Sequence, residues 1–161
     1  AASGSIAGNQ DAVKWEPLAL HGRTGSAVRS FIQADATLSD SVRERPQLSF
    51  PLYFSSTGTF DVTVDISPTL AFFPDQKLSF WMGIDNAPVK QIKGTGDKQS
   101  WGDEVMNNVR QLHTTITIDK AGAHTLHLYP QDTGVVLQKI VIDTGGLKPS
   151  YLGPPESAFF D

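Results

Sequence analysis

Two adjacent runs of strict alternation limit most sharply what this chain can become. In residues 47–55 the apolar side chains are Leu48, Phe50, Leu52 and Phe54. In residues 58–66 they are Phe60, Val62, Val64 and Ile66, with only Ser56 and Thr57 between the runs. Successive side chains of a strand point to opposite faces, so each apolar set lines one face of a sheet, while Thr59, Asp61, Thr63 and Asp65 stay wet. The pattern excludes a helix and predicts two strands joined as a hairpin.

The same punctuation recurs along the chain. Residues 12–20 make two short apolar pieces bent at Pro17, as in a kinked edge strand, and 27–34 make another strand. Residues 37–46 are polar and turn-prone, and 67–76 form a proline-bounded crossover whose Phe72 and Phe73 are expected to tuck away. Residues 77–84 and 89–93 are strands about an Asp85-Asn86 turn. Residues 112–118, 123–129 and 135–143 are three more. Between them, Trp101, Val105, Val109 and Leu112 have helical spacing, and Ser100 to Asp103 fits a capping box, so one or two helical turns are expected there. About nine short strands and at most one short helix predict an all-β fold, an antiparallel β-sandwich of the jelly-roll, galactose-binding-like kind.

Residues 1–11 are mostly small and polar and read as a linker, which leaves 12–161 as a single domain. A chain of 161 residues can bury roughly two thirds of its unfolded surface, and with no cysteine it is held by packing alone. Thirteen basic against seventeen acidic residues, with no basic run, argue against a nucleic-acid partner. No apolar stretch approaches the ~18 residues of a membrane helix, so no membrane partner is expected.

An enzyme needs a constellation, and none is legible. His21, His113, His124 and His127 include no helical His-x-x-x-His pair, and strand geometry turns His124 and His127 to opposite faces. There is no Gly-x-Ser-x-Gly elbow, and the Gly-Thr-Gly at 94–96 lacks a third glycine. Carboxylates are abundant, but no pair is marked as acid and base. No cofactor is expected. Asp85-Asn86 and Asp132-Thr-Gly could lend oxygens to a structural calcium ion, although neither has calcium-loop spacing and turn chemistry is the preferred reading.

Sugar-binding modules set aromatic faces against a pyranose and planar polar groups against its hydroxyls. The candidate ligand-binding residues are Trp101, Arg23, Tyr129, Tyr151, Asn108 and Trp15. Trp15 is in phase with Val13 and is read first as core or edge packing. Trp101 follows a polar loop, where a lid over the core and a ligand platform weigh equally. Arg23 lies in a glycine-flanked loop, where its guanidinium either pairs with a uronate carboxylate or bridges to a neighbouring acid.

These residues also carry a resemblance. Trp15 to Val28, WEPLALHGRTGSAV, is similar to a tryptophan followed by a Gly-Arg-x-Gly-x-Ala-Val loop in the C-terminal domain of glycoside hydrolase family 115, the xylan α-glucuronidases. Ser67-Pro-Thr69, Trp101 with Val105 and Asn108, and Gly122-Ala-His-Thr-Leu126 resemble further motifs of that domain. Gly134 to Ile142 and Ser150 to Ser157, SYLGPPES, resemble its ending most closely, and Asp132-Thr133 departs from the family's Asp-Pro. The resemblance implies a non-catalytic carbohydrate-binding module of a secreted or periplasmic plant-polysaccharide-degrading enzyme. It would target glucuronoxylan or another xylan-type cell-wall polysaccharide, with the catalytic domain in the same parent chain. The alternative it implies is a structural accessory domain that packs on the catalytic domains of an α-glucuronidase and supports dimerisation.

Overall fold

The computed structural model describes residues 4–22, 25–94, 101–148, 150 and 153–157. It contains two five-stranded antiparallel sheets. One has the order β1 (Ser5–Ala7), β4 (Gln47–Phe54), β9 (Gly122–Pro130), β6 (Phe80–Ile84), β7 (Lys90–Ile92). The other runs β2 (Val13–Leu18), β3 (Ala27–Ile32), β10 (Val136–Asp143), β5 (Gly58–Ile66), β8 (Arg110–Ile118). The only α-helix among the described residues is α1 (Trp101–Asn107), two turns long as the spacing predicts. The all-β sandwich is therefore as expected, and β2 with Pro17 is an edge strand.

The core lies between the inward faces. Leu48, Phe50, Phe80, Met82, Leu126 and Leu128 face it from the first sheet, and Val62, Val64, Ile66, Ile116 and Leu137 from the second. The apolar sets that alternation marks in 47–55 and 58–66 thus point inward, apart from partial exposure of Leu52 and Phe60.

The expected hairpin between those runs is corrected. β4 pairs with β1 and β9, whereas β5 pairs with β10 and β8, so residues 55–57 carry the chain from one sheet to the other. Phe54 and Phe60 stack across the layers with centroids 5.3 Å apart. Alternation identifies which face of a strand is apolar, and that face is the same in a hairpin as in a crossing between layers. The reading of residues 1–11 as a linker is corrected too. Ser5, Ile6 and Ala7 pair with Ser49, Leu48 and Gln47, and the Asn9 side chain exchanges two 2.9 Å hydrogen bonds with the Trp15 backbone. Small residues fit against an occupied sheet edge as well as they fit a flexible joint.

Asp132 closes one corner. Its Oδ2 accepts the Ser79 and Lys77 amides at 2.8 and 3.0 Å, its amide donates to the Ser79 carbonyl, and its own carbonyl accepts the Ser30 hydroxyl. The side chain therefore ties the entry of β6 to the loop before β10, and the backbone of the same residue ties that loop to β3. That brace gives Asp132 a structural role of its own. Asp85, the other calcium candidate, is spent on Thr125 and His124. Among the described residues no three His, Asp or Glu side chains converge as a metal site.

Candidate functional site

The edges of the two sheets leave a groove on one side of the sandwich. β7 supplies Lys90, Gln91 and Ile92, β8 supplies Arg110, Gln111, Leu112, His113 and Thr114, and Lys93 and Glu104 complete a space of about 670 Å³. It forms because β7 and β8 are the outer strands of their sheets and neither has a further partner on that side. Lys90 spans the gap, its Nζ donating to the Thr115 carbonyl at 3.2 Å.

The charge lining this groove opposes that of the whole chain, whose formal net charge is -4. Lys90 and Lys93 are exposed, while the buried Arg110 is held by Glu104 at 2.7 Å and by the Gly94 carbonyl at 2.6 Å. Glu104 neutralises the guanidinium. Two lysine ammoniums then dominate the field at the opening, and planar amide and imidazole groups from Gln111 and His113 lie on the β8 side. Trp101 opens α1 one turn before Glu104, so the helix brings that candidate's backbone to the groove's rim.

The other end of α1 joins a polar cluster. Asn108, exposed and at a positive φ of 54°, presents its carbonyl to Gln138 Nε2 at 3.0 Å. The same Nε2 lies 3.0 Å from the Ser67 hydroxyl, which His21 Nε2 meets at 3.3 Å. The β2–β3 loop, the end of β5, α1 and β10 are thereby drawn together around Gln138. His21 stands two residues before Arg23 in the chain, but Arg23, Tyr151 and the side chain of Trp101 lie outside the described residues.

Two of the candidates are corrected. Trp15 is 1% exposed in the core, its Nε1 donating to the Pro46 carbonyl at 3.2 Å. Tyr129 is 2% exposed, its ring beside that of His127 with centroids 6.3 Å apart. Neither has a free ring face for a pyranose. A tyrosine next to a proline-bounded turn gives the same signal whether the turn leaves its ring open or covers it. Lys90, Lys93 and Arg110 were missed, because isolated cations in separate strands carry no local mark and become a group only when β7 and β8 become facing edges.

Beyond the groove, the expectation that Phe72 and Phe73 tuck away is corrected: with Leu70 of the same β5–β6 connection they are exposed, Phe72 to 73%. Phe72 lies over Gly134, whose φ is 82° and whose added Cβ would come 2.8 Å from the ring.

A family model described as the glycosyl hydrolase family 115 C-terminal domain matches residues 1–156. Among solved structures, the fold is similar to part of a family GH115 4-O-methyl-α-glucuronidase with specificity for decorated arabinogalactans, at 17% identity and a TM-score of 0.65. That match covers 88% of this chain and 18% of the other, so this chain spans under a fifth of the relative's length. A family 35 carbohydrate-binding module from Clostridium thermocellum is similar at 15% identity and a TM-score of 0.54, covering 86% of this chain and 97% of the module. A Podospora anserina GH26-CBM35 β-(1,4)-mannanase is similar at 12% identity and a TM-score of 0.53, over 91% of this chain and 29% of that one. At these identities the likeness is one of fold. No curated protein matches the sequence.

Proposed function

On the premise that this chain belongs to the glycosyl hydrolase family 115 C-terminal domains, we propose that it is a non-catalytic carbohydrate-binding domain of a polysaccharide-degrading enzyme. Its ligand is a xylan-type plant cell-wall polysaccharide, glucuronoxylan, held in the β7–β8 groove for a catalytic domain in the same parent chain. The setting is secreted or periplasmic, where such polymers are met. No cofactor enters this reading.

The observation that carries it is the groove itself, an open channel whose exposed charges are Lys90 and Lys93 on a chain of net negative charge. A neutral xylan backbone needs planar polar partners and an exposed ring. A branch bearing a carboxylate adds an anion that two ammoniums attract through water, most strongly at low salt. Gln111, whose Nε2 donates to Asp65 Oδ1, and His113, whose Nδ1 meets the Thr63 hydroxyl, have Oε1 and Nε2 to offer a ligand, and α1 starts at Trp101 by the groove's rim.

Isothermal titration against glucuronoxylan, arabinoxylan, xylo-oligosaccharides with and without a glucuronic acid branch, and galactose tests the reading. Saturable heat with the branched ligands, weakened by salt and lost in Lys90→Ala/Lys93→Ala, is expected. Absence of heat with every ligand, from a chain that unfolds cooperatively, rejects it.

One observation favours a second reading, an accessory domain that packs on its catalytic partner. Leu70, Phe72 and Phe73 place three apolar side chains on the surface within four residues, a concentration typical of contact surfaces. Binding of this chain to the separately expressed catalytic domains, lost in Phe72→Ser/Phe73→Ser, would support it.

A further inference from the structure

His124 occupies an unusual position for an ionisable side chain. It is in phase with Leu126 and Leu128 on the core-facing side of β9 and lies opposite Leu52 of β4. Phe54 meets its ring edge-on, with centroids 5.7 Å apart. At this end of the core both ring nitrogens face acceptors. Nδ1 is 2.6 Å from Asp85 Oδ2, and Nε2 is 2.7 Å from the Lys120 carbonyl. A neutral imidazole has one N–H and one lone pair, so it can satisfy only one of the two and sets its lone pair against the other. The imidazolium satisfies both.

The two acceptors belong to different connections. Asp85 opens the β6–β7 turn at a φ of 47° and also accepts the Thr125 amide at 2.8 Å, while Lys120 lies in the β8–β9 connection. The first leads directly into Lys90, and the second follows β8. We propose that protonated His124 is a clasp that holds the β6–β7 and β8–β9 connections together beyond one end of the β7–β8 groove, and that its deprotonation parts them, because the neutral ring keeps an N–H for only one of the two acceptors. Arg43 reinforces the turn from outside by donating to the Asp85 and Ala87 carbonyls.

The charged groups around the clasp agree with this assignment. The Asp85 carboxylate faces His124 directly and also feels His127, Arg43 acts on His127 and donates to the Asp85 carbonyl, and β4 presents Leu52 and Phe54. The hydrogen bond to Asp85, followed by that to the Lys120 carbonyl, raises the His124 pKa against a small opposing effect of burial. Burial pushes Asp85 up, but the Thr125 amide and His124 outweigh it and leave that carboxyl below its usual range. A raised histidine contributes stability that is fully present below its unfolded value of about 6.5 and is lost as pH rises through its folded value. The clasp therefore opens on the alkaline side.

The inference rests on the fold and not on the glycan reading, so its test uses the 161-residue chain in sugar-free buffer. Imidazole NMR should show His124 titrating above the ordinary histidine value of about 6.5, with both nitrogens protonated at pH 6. Amide exchange should show protection of residues 85–92 and 119–124 falling through the His124 titration and levelling off above it. In Asp85→Asn the His124 midpoint should drop towards the ordinary histidine range, and in His124→Gln the pH-dependent step in exchange should vanish. A His124 midpoint at or below the ordinary histidine value of about 6.5, or turn protection indifferent to that titration, overturns the proposal. Asp85→Asn keeps the test decisive if His124→Gln does not fold.

Discussion

Replacing Asp132 by alanine tests whether this residue is an internal brace. The side chain accepts two amides, those of Ser79 and Lys77, through one oxygen. Ser79 is buried, so its N–H would lose its partner where water cannot easily replace it, at about 1–3 kcal/mol for an unsatisfied buried donor. Lys77 is exposed and its amide can turn to water, so no more than the net value of an ordinary hydrogen bond is lost there, about 1 kcal/mol. The sum, about 2–4 kcal/mol, corresponds to a fall in Tm of roughly 5–15 °C for a chain of this length. Asp132→Asn keeps an acceptor of the same shape and should cost about 1 kcal/mol. Urea unfolding followed by tryptophan fluorescence measures both. A chelator should leave the unchanged chain's midpoint where it was. Equal losses in the alanine and asparagine variants, or a midpoint that falls with chelator, would refute the brace and return Asp132 to metal binding.

Three other predictions follow from packing and charge. Glu104→Ala leaves the Arg110 guanidinium, 6% exposed, without its carboxylate and should cost about 2–4 kcal/mol by denaturant unfolding, whereas a half-exposed pair such as Lys14 with Glu16 should give under about 1 kcal/mol. Gly94→Ala would set a Cβ 2.5 Å from the Leu78 carbonyl oxygen, a backbone atom that cannot turn aside, so a loss of about 2–3 kcal/mol is expected in the same assay. Lys90→Ala/Lys93→Ala should change unfolding by less than about 1 kcal/mol, because both residues are exposed, while abolishing the heat of glucuronoxylan binding. A large stability loss in that variant would mean that the Lys90 contact with Thr115 serves the fold rather than a ligand.

Much of the architecture was legible in the residues. A period of two is a property of the strand itself, so Leu48, Phe50, Val62 and Val64 declare their inward face without knowledge of any partner. Helical spacing at Trp101 and Val105 was as local, and α1 formed there. The opposite facing of His124 and His127 also follows from strand geometry, and their partners bear it out: His124 meets Phe54, while His127 meets Ser49 on the other face. The motif resemblance reached the family, because sequences such as SYLGPPES are specific beyond any physical pattern.

The rest depends on contacts between distant segments. Which strands pair is not encoded by alternation, so the join at 55–57 reads as a hairpin although it spans the layers. Whether an aromatic ring is a platform or core depends on what folds against it, and the chain around Trp15 and Tyr129 leaves them no open face. The groove arises only where β7 and β8 end their sheets. The charge of His124 depends on Asp85 and Lys120 arriving together from two turns. Amino-acid order determined the periodicities and hence the sandwich; tertiary structure alone decided pairing, exposure and the grouping of charges, because each is a relation between residues far apart in the chain.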